Sequence, residues 1–272
     1  MGLRVNTNIA SMTAQRNLAS VSSRLSGNFS RLSSGLRIAS ASDDAAGLGI
    51  SERMRAQVRS FGAAWRNAQD GVSLTQTAEG ALQEVSNNLN RMRELAVQSA
   101  NGTLNATDRT TLDTEFQELS AEIDRIATQS TFNGINLLDG TNATIDIQVG
   151  ANATETVTLT MADATAATLA IAALDVTSVA NANTALAALD TAIDDVSTGR
   201  GVLGAGTNRM NSAIASIATA RENLAASESR IRDVDVAYET ADMTRNNILQ
   251  QAAVSVLSQA NMQPQLALSL LR

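Results

Sequence analysis

Histidine, cysteine and lysine are missing from the chain, and proline, tryptophan and tyrosine occur once each. Without histidine and cysteine there is no imidazole base, no thiol nucleophile and no nitrogen or sulfur ligand, so zinc centres and disulfides are excluded. Oxygen-only cation sites and carboxylate catalysis stay open. Aromatic residues make up only 2% of the chain although 44% is hydrophobic, so the apolar surface is almost all aliphatic or small. That composition suits helices packed closely side by side better than one ring-centred globular core. No run of 18 apolar residues could span a bilayer, and the first 30 residues lack the apolar centre of a cleavable secretory signal.

The charges are unevenly placed. Residues 1–66 hold nine arginines against Asp43, Asp44 and Glu52, a balance of +6, leaving −13 for the remainder of a net −7. The arginines Arg16, Arg24, Arg31 and Arg37 are spaced singly, and few rings are available to stack on bases. Contact between protein subunits is therefore expected, with neither nucleic acid nor membrane insertion.

With Pro264 the sole proline, long helices are permitted over almost the whole length. Leu82, Val85, Leu89, Met92, Ala96 and Ser99 form one helical stripe, with Arg91, Arg93 and Glu94 off it. Leu112, Phe116, Leu119, Ile123 and Ile126 form a second, with Thr107 as its expected N-cap and Phe132-Asn133-Gly134 marking its end. A third runs Ala213, Ile217, Ala220, Leu224, Ser227, Ile231, Val234, and the three seams are expected to bury one another.

Towards the amino terminus a weaker stripe is Leu18, Val21, Leu25, Phe29 and Leu32, and a seven-residue near-repeat puts Arg24 and Arg31 on one face. Near the carboxyl terminus Ile248, Leu249, Ala252, Ala253, Val256 and Leu257 make a wide apolar band, followed by Leu266, Leu268, Leu270 and Leu271. Such a band needs a partner. In the middle, Ile145, Ile147 and Val149 alternate with polar residues, as do Val157, Leu159 and Met161, predicting a β-hairpin near 143–162. Residues 162–181 carry no period, and helical spacing returns at Leu186, Leu189 and Ile193, so a short connection is expected to about residue 185.

Several constellations have ordinary structural readings. Asp43-Asp44 fit the positive end of a helix, and Asp233, Asp235, Glu239 and Asp242 fit a solvated or subunit-facing helix surface. Gly201, Gly204 and Gly206 lack the lysine of a phosphate loop and read as a turn before a helix near Met210. Asn-x-Thr triplets begin at Asn101, Asn105, Asn142 and Asn152, a spacing that arises by chance in so Asn- and Thr-rich a chain. Thr141, Thr144 and Thr154 are candidate O-linked sugar acceptors if their region is exposed.

The two ends resemble bacterial flagellins in a long series of ordered phrases. They include Val5-Asn6-Thr7-Asn8, Arg31-Leu32-Ser33-Ser34-Gly35-Leu36-Arg37-Ile38, Asp43-Asp44-Ala45-Ala46-Gly47-Leu48, Asn67-Ala68-Gln69-Asp70-Gly71 and Arg93-Glu94-Leu95-Ala96-Val97-Gln98. In the carboxyl-terminal half stand Ser229-Arg230-Ile231-Arg232-Asp233, Ile248-Leu249-Gln250-Gln251-Ala252 and Gln259-Ala260-Asn261. The resemblance implies a mainly α fold: long antiparallel helices in a coiled-coil-like bundle, a small β-hairpin inserted mid-chain, and assembly as a helical polymer. It divides the chain into terminal helices, residues 1–43 with 232–272, forming a filament inner core, and a rod domain over 44–231.

The implied function is a non-enzymatic, extracellular subunit of the flagellar filament, exported unfolded through the flagellar type III apparatus and without a cofactor. The hook-filament junction proteins of the same superfamily are the alternative. Implied partners are copies of itself, sibling flagellins, an export chaperone, the filament cap and hook-junction proteins. Leu18, Leu25, Arg31, Leu32, Ile248, Leu249, Val256, Leu257 and Leu270 are the candidate assembly residues. Arg91, Leu95 and Glu115 match the positions that the flagellin-sensing Toll-like receptor grips in recognised flagellins. Some flagellins carry a metalloprotease in a central insertion; here the insertion is too short and no histidine is present.

Overall fold

The computed structural model describes residues 7–269, with side chains described to residue 262. Five helices, α1 (Ile9–Ser34), α2 (Ala45–Ser99), α3 (Ala106–Gln129), α4 (Val179–Arg232) and α5 (Val236–Ser269), are joined by two β-hairpins, β1–β2 (Thr131–Phe132 with Ile135–Asn136) and β3–β4 (Thr144–Gln148 with Thr156–Thr160). They form two compact units, Met1–Ala56 with Asn223–Arg272 and Gln57–Glu222.

A short polar side chain satisfies free amides at each helix start. Asn8 accepts from Ser11 N–H at 3.0 Å, Asp44 from Ala46 and Gly47 at 3.0 and 2.9 Å, and Asp235 from Ala237 and Tyr238 at 2.9 and 3.1 Å. Ser178 accepts from Asn181 N–H at 3.1 Å. For α3 the cap is Asn105, two residues before the expected Thr107, because Asp108 returns the bond to the Asn105 amide in a reciprocal capping box. α1 stops at Gly35, whose positive φ of 71° lets its N–H bond Arg31 O at 2.8 Å.

In the unit Gln57–Glu222, all six members of the first predicted stripe are buried. The five apolar ones share one core with Phe116 and Ile123 of α3 and Ala185, Leu189, Ala192 and Val196 of α4. Crosslinks show α4 antiparallel to α2: Thr207 bonds Thr75 at 3.0 Å, Arg200 pairs with Glu79 at 3.0 Å, and Arg93 with Asp190 at 2.6 Å. The β3–β4 hairpin pairs Ile145 with Leu159 and Ile147 with Val157 on the face turned to that core, while Thr144, Asp146, Thr156, Thr158 and Thr160 face out.

Two further sequence expectations are corrected in this unit. The glycines 201, 204 and 206 make no turn, for α4 runs through them unbroken. A β-carbon on Gly206 would lie 2.8 Å from Leu159 Cδ2, so its bare backbone lets the hairpin sit close. α4 begins at Val179, earlier than residue 185. The aperiodic stretch before it is also packed, burying Ala164, Ala166, Leu169, Ile171 and Val176. Its backbone is set by local bonds, since Asp163 accepts from Thr165 and Asp175 from Thr177, as Asp139 does from Thr141 after α3. Phe132-Asn133-Gly134 does more than end α3, because Asn133 and Gly134, at φ 50° and 78°, are the two-residue turn of the β1–β2 hairpin.

Candidate functional site

In the unit Met1–Ala56 with Asn223–Arg272, α1 and α5 pack along their lengths. The inward face of α1 steps by three and four through Ser11, Ala14, Leu18, Val21, Leu25, Asn28 and Leu32, each buried or half-buried. α5 answers with Glu239, Met243, Asn246, Gln250, Ala253, Leu257 and Ala260. Phe29 is not in this seam but 54% exposed, and Asn28 takes its place. Counting apolar residues alone put the stripe one residue out; keeping strict heptad spacing and allowing polar members would have found it.

The seam is polar at its two ends. Asn28 Nδ2 donates to Glu239 Oε1 at 2.6 Å, Asn246 Nδ2 donates to Asn28 Oδ1 at 2.9 Å, and Arg31 lies 3.8 Å from Glu239. Glu239 is thus enclosed within the chain, contrary to the solvated or subunit-facing surface expected for it. At the other end Asn8 Nδ2 donates to Ala260 O at 2.7 Å and Ser11 Oγ to Asn261 at 2.8 Å. Beyond α1, an antiparallel bridge between Leu36 and Asp233 ties the two chain segments where both helices break. Arg37 N–H donates to Arg232 O at 2.7 Å, Val234 N–H to Gly35 O at 3.0 Å, and Arg232 pairs with Glu52 at 2.8 Å.

The outward faces of the same helices carry uncovered apolar groups. Ile9, Met12 and Phe29 on α1 and Ile248, Leu249, Val254, Val256 and Met262 on α5 are each more than 40% exposed. The candidate assembly residues therefore separate into two sets. Leu18, Leu25, Arg31, Leu32 and Leu257 belong to the α1–α5 seam, whereas Ile248, Leu249 and Val256 face outward; Leu270 lies outside the described residues. What this arrangement offers chemically is apolar area for another surface, with its polar groups already paired inside.

Most of the other singled-out residues lie in the unit Gln57–Glu222. Arg91 reaches across from α2 to Glu115 on α3 at 2.8 Å and to Glu94 at 2.9 Å, all exposed, whereas Leu95 is only 1% exposed. Arg93 holds the Asp190 carboxyl below the usual aspartate range through its hydrogen bond and charge. Thr144 and Thr154 are exposed; Thr141 is exposed too, but its hydroxyl donates to Asp139 at 2.5 Å. Asp43 is occupied by the amides of Ala39 and Ser40. Among the described residues no group of three or more acidic side chains converges as a metal site, and no helix is long and apolar enough to cross a membrane.

Residues 5–143 match the family model of the bacterial flagellin N-terminal helical region, and residues 186–271 match that of the C-terminal helical region. The chain belongs to the bacterial flagellin family. It is 51% identical over 270 residues to a flagellin of Halalkalibacterium halodurans, covering 98% of this chain and 99% of that one. It is 45% identical over 304 residues to a flagellin of Bacillus subtilis, covering 99% and 100%. Among solved structures it is similar to Bacillus cereus flagellin, at 39% identity and a TM-score of 0.51, over 56% of this chain and 88% of that one. Within the flagellin family this is a short form: the interval 144–185 between the two matched regions holds only β3, β4, the packed turns and the first two turns of α4, with no large variable domain.

Proposed function

We propose that the chain is the structural subunit of an extracellular bacterial flagellar filament, joining copies of itself through the outward apolar faces of α1 and α5. The observation that carries this reading is the contrast within α1 and α5: seam positions are buried or half-buried, with Asn8, Ser11, Asn28, Glu239 and Asn246 paired at the two ends, while Ile9, Met12, Ile248 and Val256 stand more than half exposed. Aliphatic groups of that size, left in water on paired helices, are stabilised by about 25 cal/mol per Å² when another copy buries them. Contacts of this kind between unlike faces do not close on themselves and extend as a helix. The role is mechanical and non-enzymatic, supporting swimming motility.

The terminal helices, paired with each other along the seam, are stabilised further when neighbours cover their outward faces, consistent with export of an unfolded chain handed over by a chaperone and placed under a filament cap, next to hook-junction proteins or sibling flagellins. A flagellin-sensing Toll-like receptor approaching this surface would meet Arg91 and Glu115 directly, whereas Leu95 is buried. Of the three candidate sugar acceptors, all exposed, Thr141 has its hydroxyl engaged by Asp139, which leaves Thr144 and Thr154 as the better candidates.

Electron microscopy of the purified chain seeded with filament fragments tests the assignment. Full-length protein should extend the seeds, and a chain lacking residues 236–272 should not. Extension by the truncated chain would overturn the reading, and a full-length chain that binds seeds without propagating would point to a junction role instead.

A further inference from the structure

The middle of the α1–α5 seam, where Leu18 and Ala14 meet Ala253 and Leu257, is filled by Leu and Ala, which slide past one another with little penalty. Its two ends differ. Asn28, Glu239 and Asn246 are each more than nine-tenths buried and bonded only in the observed alignment. About 25 Å away along α1, at 1.5 Å per residue, Asn8 and Ser11 hold Ala260 and Asn261.

Slipping α1 by one heptad so that Leu18 comes level with Ala260 would put Gly35 where Asn28 stands and strip the Asn246 amide and the Glu239 carboxylate of their buried partner. Compared with an apolar layer of equal volume such a cluster adds little stability, but it penalises every other alignment. Two polar layers at a fixed spacing agree in one alignment alone. We propose that Asn28, Asn246 and Glu239 are the specificity determinants of α1–α5 pairing, holding the chain ends in a single antiparallel register and so setting which outward apolar groups lie level. The consequence for the outward face rests on the filament reading above; the register itself does not.

The absence of cysteine makes the test clean. Leu18 and Ala253 stand level by interpolation between the two polar layers, whereas Leu18 and Ala260 would stand level only after a one-heptad slip. In full-length protein, Leu18→Cys with Ala253→Cys should oxidise to a disulfide and Leu18→Cys with Ala260→Cys should not. Adding Asn28→Leu, Glu239→Leu and Asn246→Leu should raise the slipped-to-native ratio roughly tenfold or more while helical content by circular dichroism is retained. Glu239→Gln, which keeps an acceptor oxygen, should leave the native disulfide dominant.

An unchanged ratio in the triple-leucine protein, or equal slippage with Glu239→Gln, would overturn the inference. Oxidation is carried out on both the free chain and the sedimented polymer. If the unsubstituted chain never polymerises, the filament reading fails while the free-chain ratio still decides the register; if neither pair links in either state, the register inference fails.

Discussion

A β-carbon added at Gly199 of α4 would sit 2.8 Å from the β-carbon of Ala162, just after β4. Neither atom can swing away, because each is fixed directly to backbone, so Gly199→Ala must push the chain after the hairpin off the helix. Overpacking of this kind costs about 1–3 kcal/mol, against a gain of about 1 kcal/mol from replacing glycine in a helix. Gly201, with open space around it, lacks the clash. Thermal unfolding followed by circular dichroism should show Gly199→Ala melting lower than the parent and Gly201→Ala melting higher. The same sign for both would mean that α4 and the hairpin do not meet as described.

The α3 start offers a second comparison. Asn105→Ala removes one half of the capping box and should destabilise by about 1 kcal/mol, whereas Thr107→Ala, one residue inside the helix, should stay within about 0.5 kcal/mol. Urea titration of the two variants decides between them. Equal losses would return the cap to Thr107.

How far these features could be read in advance depends on the kind of physics behind each. The stripe from Leu82 to Ser99 and the alternation around Ile145 and Leu159 were visible because burial on one face imposes a period. Asn28 went unmarked and Glu239 was read as solvated or subunit-facing because polar residues in a seam look like solvent-facing ones until their partners, more than two hundred residues away, are known. The packed turns at 162–178 have no period at all; the recurring Asp-x-Thr of Asp139, Asp163 and Asp175 was their one local signature. Gly199 and Gly206 belong to a last category, where the reason for a residue is the closeness of another element and no spacing along α4 reveals it.

Acid sensitivity follows from those same turns. Burial pushes the Asp163 carboxyl up, but hydrogen bonds from the Thr168 hydroxyl and from the Thr165 amide and hydroxyl outweigh it, leaving it below the usual aspartate range. Asp139, held by Thr141, and Asp175, held by Thr177 and Asn181, are lowered likewise. Because the folded value lies below the unfolded one, the stabilisation is fully present above the ordinary aspartate value and is lost as pH falls through the folded value, below about pH 4. Melting temperature should therefore drop between pH 5 and about pH 3, and Asp163→Asn should shallow that drop. A variant with the parent's full acid dependence would show that this network does not contribute.

Ile248 separates pairing from assembly. It is 61% exposed on α5, so Ile248→Asp removes nothing from the α1–α5 seam, and surface changes of that sort usually alter folding by no more than about 0.5 kcal/mol. In a polymer that buries this face the new carboxylate loses its water with no cation to meet it, at a cost of about 3 kcal/mol or more, which raises the critical concentration about a hundredfold. Leu25→Asp is the converse case: Leu25 is 9% exposed within the seam, so helix pairing itself should fail. Sedimentation gives the critical concentration and circular dichroism the helical content, and the two variants should part on the second measure while agreeing on the first. If Ile248→Asp polymerises at the parent's concentration, the outward face of α5 stays wet in the filament and the contact surface must be sought on the rod.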